Sequence, residues 1–405
     1  MKKQEKQSFY SLVWKRGPIV LTYLSILITR ALVAQGEQSS PRNTMAFARH
    51  LHSTIRARGV QPAPSPTPTP TPEGMTPTPT AKPGMTLMKS SGTASQDAGM
   101  GEDMMSAAGL MPPGIMVGKA GRWMVGYQVM FDKMDGNLVG TNRISDAQVL
   151  DRFMATPTDM TMQMHMGMVM YAPTDKLTLI VMVPYIRKSM NHVMRDGTRF
   201  TERTDGIGDV ELRGFYSLHA RKDLRHRFLL NAGVGLPSGS INQKMGGMRL
   251  EYPMQLGSGT YSLIPGFTYL GQAVPWGWGA EFIPTLRVGT SSNGYRLGNR
   301  YQPSAWAARR VTPWLSLSAR VNGDVWQNIR GADAALDIMD EPTKDPTLQG
   351  GRRLDATFGM SLHPAEGTLK GQEFFLHVNK PLWQSLDGPQ LQRRWVVRLG
   401  WQWEF

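Results

Sequence analysis

A chain of 405 residues with 43 Gly, 28 Pro, 28 Met, no Cys and a formal net charge of +14 could hold two or three ordinary domains or one large all-β domain. The lack of Cys excludes disulfide frameworks, Cys-ligated zinc, iron–sulfur clusters, a thiol nucleophile and a lipidated N-terminal Cys. No apolar run reaches the ~20 residues of a spanning helix, which excludes a helical multispan protein; alternating membrane strands leave little trace in averaged hydropathy and stay open.

The charge sits mostly at the N-terminus, where residues 1–60 carry ten Lys/Arg against Glu5 and Glu37. A nucleic-acid face would instead cluster cations on a folded surface within a recognisable module, so no nucleic-acid partner is expected. Residues 1–34 read as a signal peptide. Lys2, Lys3, Lys6, Lys15 and Arg16 form a positive n-region, GPIVLTYLSILIT (17–29) an apolar h-region, and ALVA (31–34) a cleavage site after Ala34. The alternative is an uncleaved inner-membrane anchor, for which the span is short.

Residues 35–118 form a Pro/Thr- and Met-rich linker that composition predicts to be disordered. Its Pro-Thr repeat (61–84) favours extended polyproline II and acts as a spacer. Met85, Met88, Met100, Met104 and Met105 follow on a backbone that nothing fixes. Their thioethers could converge on Cu(I) or Ag(I), and these are the candidate metal residues; the plain alternative is low-complexity drift.

From about residue 119 to Phe405 the pattern alternates with period two between turn signals, which predicts strands. They begin near Arg122, Met160, Leu177, Asp209, Arg227, Gly259, Trp278, Gly298, Trp314, Arg353, Glu373 and Arg393, about twelve in all. In the last, Trp395, Val397, Leu399, Trp401, Trp403 and Phe405 share one face, opposite Arg394, Val396, Arg398, Gly400, Gln402 and Glu404. Ten of eleven Trp fall in this region, several near strand ends, as the aromatic girdles of a membrane barrel require. The apolar faces also lack Lys and Arg almost throughout.

The other faces repeat charges of both signs. Candidate lumen residues are Asp209, Glu211 and Arg213; Glu281 and Arg287; Arg320 and Asp324; Arg353 and Asp355; Glu373 and His377; Arg394 and Arg398. Charged rings set what passes a pore, while opposite charges on adjacent strands also pair into a lattice that stiffens the barrel; both readings stand. In the second strand Met160, Met162, Met164, Met166, Met168 and Met170 point one way, opposite Thr161, Gln163, His165, Gly167, Val169 and Tyr171. With His165 and Gln163 facing the lumen, the Met face is expected to meet lipid as a flexible apolar surface. No G-x-S-x-G, H-E-x-x-H or P-loop is present, and no enzyme is expected.

The segments MTMQMHMGMVMYAPTDKLTLIVMVPYI, TDGIGDVELRGFYSL, NAGVGLPSGSI, YPMQLGSGTYSLIPGFTY, LGNRYQPSAWAARR and PLWQSLDGPQL resemble the outer-membrane family named for the MetA-pathway of phenol degradation. The likeness runs from about Gly121 to Phe405 and is nearest the Met-rich branch, associated with metal-resistance neighbourhoods. It implies a transporter-like barrel in the bacterial outer membrane, and Phe405 as the terminal signal read by the barrel-assembly machinery. It also implies hydrophobic or aromatic small molecules as solutes. The expectation is therefore an all-β, antiparallel transmembrane outer-membrane β-barrel over residues 119–405, embedded in outer-membrane lipid and passing small solutes. Two alternatives accompany it: a Cu/Ag resistance or efflux accessory acting through its Met-rich segments with efflux components, and a closed structural barrel. No resident cofactor is expected beyond Cu(I) or Ag(I) on the arm.

Overall fold

The computed structural model describes residues 120–220, 226–364 and 366–405. The signal peptide, the Pro/Thr linker and the arm methionines lie outside the described residues.

Twelve strands organise the described chain: β1 (Trp123–Gly140), β2 (Ala155–Thr174), β3 (Leu177–Met194), β4 (Arg199–Ile207), β5 (Val210–Ala220), β6 (His226–Leu236), β7 (Gly266–Ala273), β8 (Trp276–Val288), β9 (Arg300–Thr312), β10 (Leu315–Trp326), β11 (Gly351–Leu362) and β12 (Gln372–Glu404). All neighbours are antiparallel, and the order runs β1–β2–β3–β5–β6–β7–β8–β9–β10–β11–β12 and back to β1. The sheet is closed, which removes the open edges that would otherwise template aggregation.

Three strands depart from one stave each. β4 and β5 both lie along β3, against Tyr185–Val193 and Leu177–Met182 respectively, and share a stave. β12 is 33 residues long, and at ~3.3 Å per residue would stretch to ~110 Å if straight. Instead it folds back on itself. Phe374–Leu386 pairs with β11, and Leu386–Glu404 pairs with β1. Gln384 and Arg393 exchange hydrogen bonds of 2.9 and 3.0 Å between the two arms. The closed barrel thus has twelve staves.

Strand-end chemistry is unequal at the two ends. Short turns join the strands at the end where Trp123 and Phe405 meet, with Phe405 N donating to Trp123 O at 2.9 Å. At the other end lie segments 141–154, 237–265, 289–299 and 327–350. Short turns on one side and long loops on the other are the asymmetry of outer-membrane barrels. Two tight turns also lie at the long-loop end: the tip where β12 folds back, and Asp196–Gly197, a hairpin pair in which Gly197 (φ 86°) supplies the left-handed conformation that such turns demand.

The outer surface is apolar around the barrel: Tyr127, Val181, Leu212, Phe228, Phe267, Val321, Phe358 and Leu399 are all exposed. A water-soluble monomer rarely presents so continuous an apolar belt. Exposed Trp123, Trp276, Trp314 and Trp403 stand near the short-turn end, and Trp383 and Trp395 nearer the loops. Trp395 and Trp403 are eight residues apart on one arm, roughly 26 Å along the strand and about 20 Å along the axis at a tilt of ~40°, which fits within an apolar band about 25 Å tall. Among the described residues no helix is long and apolar enough to cross a membrane.

Candidate functional site: the barrel lumen

Inward-facing side chains enclose a cavity of about 520 Å³ toward the long-loop end. One wall is thioether and hydrocarbon: Met162, Met164 and Met166 from β2, with Met182, Pro184 and Ile186 from β3. The expectation that the Met face meets lipid is overturned. β2 pairs with β1 so that His165 and Gln163 stand beside the outward Val129 and Phe131, while Met164 and Met162 stand beside Met130 and Asp132. Asp132 is fully buried, which marks that side as the interior. His165 is accommodated outside because Tyr127 Oη meets its Nδ1 at 2.6 Å.

The opposite wall is charged. Arg287, Arg300, Asp324, Arg353 and Arg393 line it, with Asp209 and Glu211 between the two walls. Asp324 accepts from both Arg300 and Arg353, the latter at 2.8 Å, and Arg353 reaches Asp355 at 3.0 Å. Arg393 grips Asp132 at 2.5 Å. Below the cavity Arg320 pairs with Glu281, and Arg213 pairs with Glu211 at 2.6 Å. Part of the ion-pair lattice lines the cavity, through Glu211, Arg300, Asp324, Arg353 and Arg393, and the rest lies around it. Buried pairs of this kind cost desolvation that their attraction only partly offsets, so they set geometry more than they add stability.

The remaining candidates are spread out. Glu373 accepts from Gln402 and lies 3.9 Å from His363, near the short turns. His377 packs over Gly359 in register, and Arg398 occupies the row facing Met130. Arg394 does not line the cavity. A bulge between Lys133 and Met134 shifts the register, so that Arg393 takes the inward place and Arg394 pairs with Asp135. Met85, Met88, Met100, Met104 and Met105 lie outside the described residues. Sequence reasoning missed Arg300, Arg393 and Lys188, although Arg300 opens β9 in the same row as Gln302, Ser304 and Trp306, where period two could have found it.

Two features bound the cavity. On the loop side, segment 237–265 turns inward: Lys188 Nζ donates to Pro253 O and Gln255 O at 2.7 and 2.6 Å, and Thr204 Oγ1 to Met254 O at 3.0 Å. Its base is held by Asp209, which accepts from Gly239 N at 3.0 Å and Ser258 N at 2.9 Å. On the other side an apolar layer crosses the lumen, built from Met124, Met168, Met170, Ile180, Phe215, Leu229, Leu270 and Trp306. Trp306 reaches inward because Gly279, its cross-strand partner, leaves no Cβ in its way. Arg320 covers the indole at 4.9 Å, a cation–π contact that separates the apolar layer from the charged lattice.

No family model matches the chain, and no curated protein sequence matches it. Solved structures do. The chain is similar to the COG4313 outer membrane channel from Pseudomonas putida F1, with a TM-score of 0.50 at 12% identity over 73% of this chain and 99% of that one. It is also similar to the KdgM porin (TM-score 0.34, 8% identity, 70% and 99% covered) and to a Pseudomonas aeruginosa FadL homologue (TM-score 0.37, 11% identity, 76% and 98% covered). At 12% identity the first likeness supports the fold alone, a closed antiparallel β-barrel.

Proposed function

We propose that the protein resides in the bacterial outer membrane and passes small solutes through its lumen. The observation that carries this reading is the two-walled cavity: a thioether wall facing an ion-pair wall inside a closed barrel. The first accepts an apolar body without fixed geometry, since Met is flexible and polarisable. The second offers guanidinium donors and carboxylate acceptors to a polar end. Small amphipathic molecules suit the pair, in keeping with the aromatic solutes that the family resemblance implies. Phe405, on the outer face and paired to Trp123, is proposed as the end recognised by the assembly machinery.

The apolar layer around Trp306 favours a second reading, a closed structural barrel. The two part in planar bilayers. Purified, refolded full-length protein should give discrete conductance steps, and Trp306→Ala should raise the conductance by thinning the layer. Folded protein with no current, in both the native chain and Trp306→Ala, would decide for the closed barrel.

A further inference from the structure

Beyond the lumen, four acid–base side chains from four separate segments meet at the long-loop end. His192 stands near the end of β3, Glu202 on β4, Glu251 just before the turn Tyr252–Met254, and Glu341 just before the turn Pro342–Lys344. Their exposures are 1%, 6%, 0% and 3%. Ligand atoms of His192, Glu202 and Glu251 all lie within 4.8 Å of one another. His192 Nε2 is 3.7 Å from Glu251 Oε1 and 3.4 Å from Glu341 Oε2.

Hydrogen bonding leaves this cluster unsatisfied. His192 Nε2, both carboxyl oxygens of Glu251 and Glu202 Oε2 are buried with no donor group to satisfy them, the Glu202 and Glu251 carboxyls facing only each other. Orphaned buried polar atoms are rare, and several aimed at one point call for an ion or a proton. The His192 ring is held flat against Phe200, centroids 4.8 Å apart and planes 6° off parallel, so its nitrogen is aimed before any ligand arrives. Thr343 Oγ1 donates to Glu341 Oε2 at 3.1 Å, which orients that carboxylate. Three buried carboxyl groups with one nearby ammonium, Lys344, make a pocket that favours a bound cation or shared protons.

We propose that His192, Glu202 and Glu251 bind one divalent transition-metal ion, of which zinc is the type. One imidazole and two carboxylates, with water in the fourth place, form a nitrogen–oxygen set suited to such an ion. Donors about 2.0–2.2 Å from a tetrahedral centre stand roughly 3.4 Å apart. His192 Nε2 and Glu251 Oε1 stand at 3.7 Å, and the three donors, all within 4.8 Å of one another, would draw closer on the ion. Glu341, 3.4 Å from Nε2, lies beside the site. A dication would offset the carboxylate charge. It would also tie β3 and β4 to segment 237–265, fixing the inturned loop that narrows the lumen.

The test uses untagged, full-length refolded protein, stripped with chelator and dialysed against Zn(II). Native protein should retain one more zinc per chain than His192→Gln or Glu251→Gln, while His165→Gln, on the outer face, should match the native chain. Zinc should also raise the temperature at which the SDS-resistant form unfolds, in the native chain only. Should both cluster variants fail to fold, Co(II) on the native chain decides: intense visible bands of a four-coordinate nitrogen–oxygen site are expected. Equal zinc in native and variant chains, or only the weak bands of six-coordinate surface Co(II), overturns the proposal; protons shared among the carboxylates would then explain the cluster.

Discussion

Asp132 on the first strand and Arg393 on the last, 261 residues apart, meet in a two-pronged ion pair with contacts of 2.5 and 3.1 Å. The pair lies across the seam where the two ends of the sheet join, and Asp132 is fully buried. Its geometry therefore reports closure of the barrel directly.

Arg393→Gln should be strongly destabilising, because it leaves a buried carboxylate without its counter-charge, at a cost of roughly 3–5 kcal/mol. Asp132→Asn combined with Arg393→Gln should recover a large part of that loss. Urea unfolding of the refolded barrel, followed by its SDS-resistant band, measures both. Equal loss in the single and double variants would mean that the charge pairing is not what the seam depends on.

The last arm carries a second expectation. Leu399 and Trp403 face outward and are exposed, whereas Gln402 is buried beside Glu373. Leu399→Lys places a cation toward mid-bilayer and should cost about 2–4 kcal/mol, and Trp403→Lys, near the interface, about 1 kcal/mol or less. Gln402→Lys should assemble well, with Glu373 at hand as a partner. The fraction of protein reaching the heat-modifiable form ranks the three, and harm at 402 matching that at 399 would refute the register.

Lys188 tethers the inturned loop through two carbonyls. Hydrogen bonds from a charged donor contribute roughly 1.5–3 kcal/mol, so Lys188→Met should raise the open population of segment 237–265 at least about tenfold. Limited proteolysis within that segment should quicken accordingly, and the barrel's unfolding should change little. Unchanged cleavage would show that Thr204 and Asp209 hold the loop without Lys188.

Much of this fold was legible in the residues. Strand positions follow from period two, and the last strand's two faces follow from its Trp and Arg alternation. The β2 faces were misassigned because alternation separates two faces without saying which is inside. There the outer face holds Thr161, Gln163 and His165 while the inner holds six Met. The neighbouring strand held the missing signal: in register with β1, whose outer face is plainly Trp123, Val125, Tyr127, Val129 and Phe131, only one assignment fits. Arg394 was lost to a bulge, which inserts a residue and turns the following side chains over. The cluster of His192, Glu202, Glu251 and Glu341 leaves no spacing to read, since its members come from segments up to 149 residues apart that only the closed barrel brings together.

The central claim is that solutes move along the Met-lined lumen, and the native chain's lack of Cys allows it to be tested at one atom. Met164→Cys should give the native conductance in planar bilayers and lose most of it when a small, charged, water-soluble thiol reagent is added, while Val129→Cys, on the outer face opposite His165, should be unaffected. Block by reagent at 129 and not at 164, or a current that neither position alters, would contradict the account.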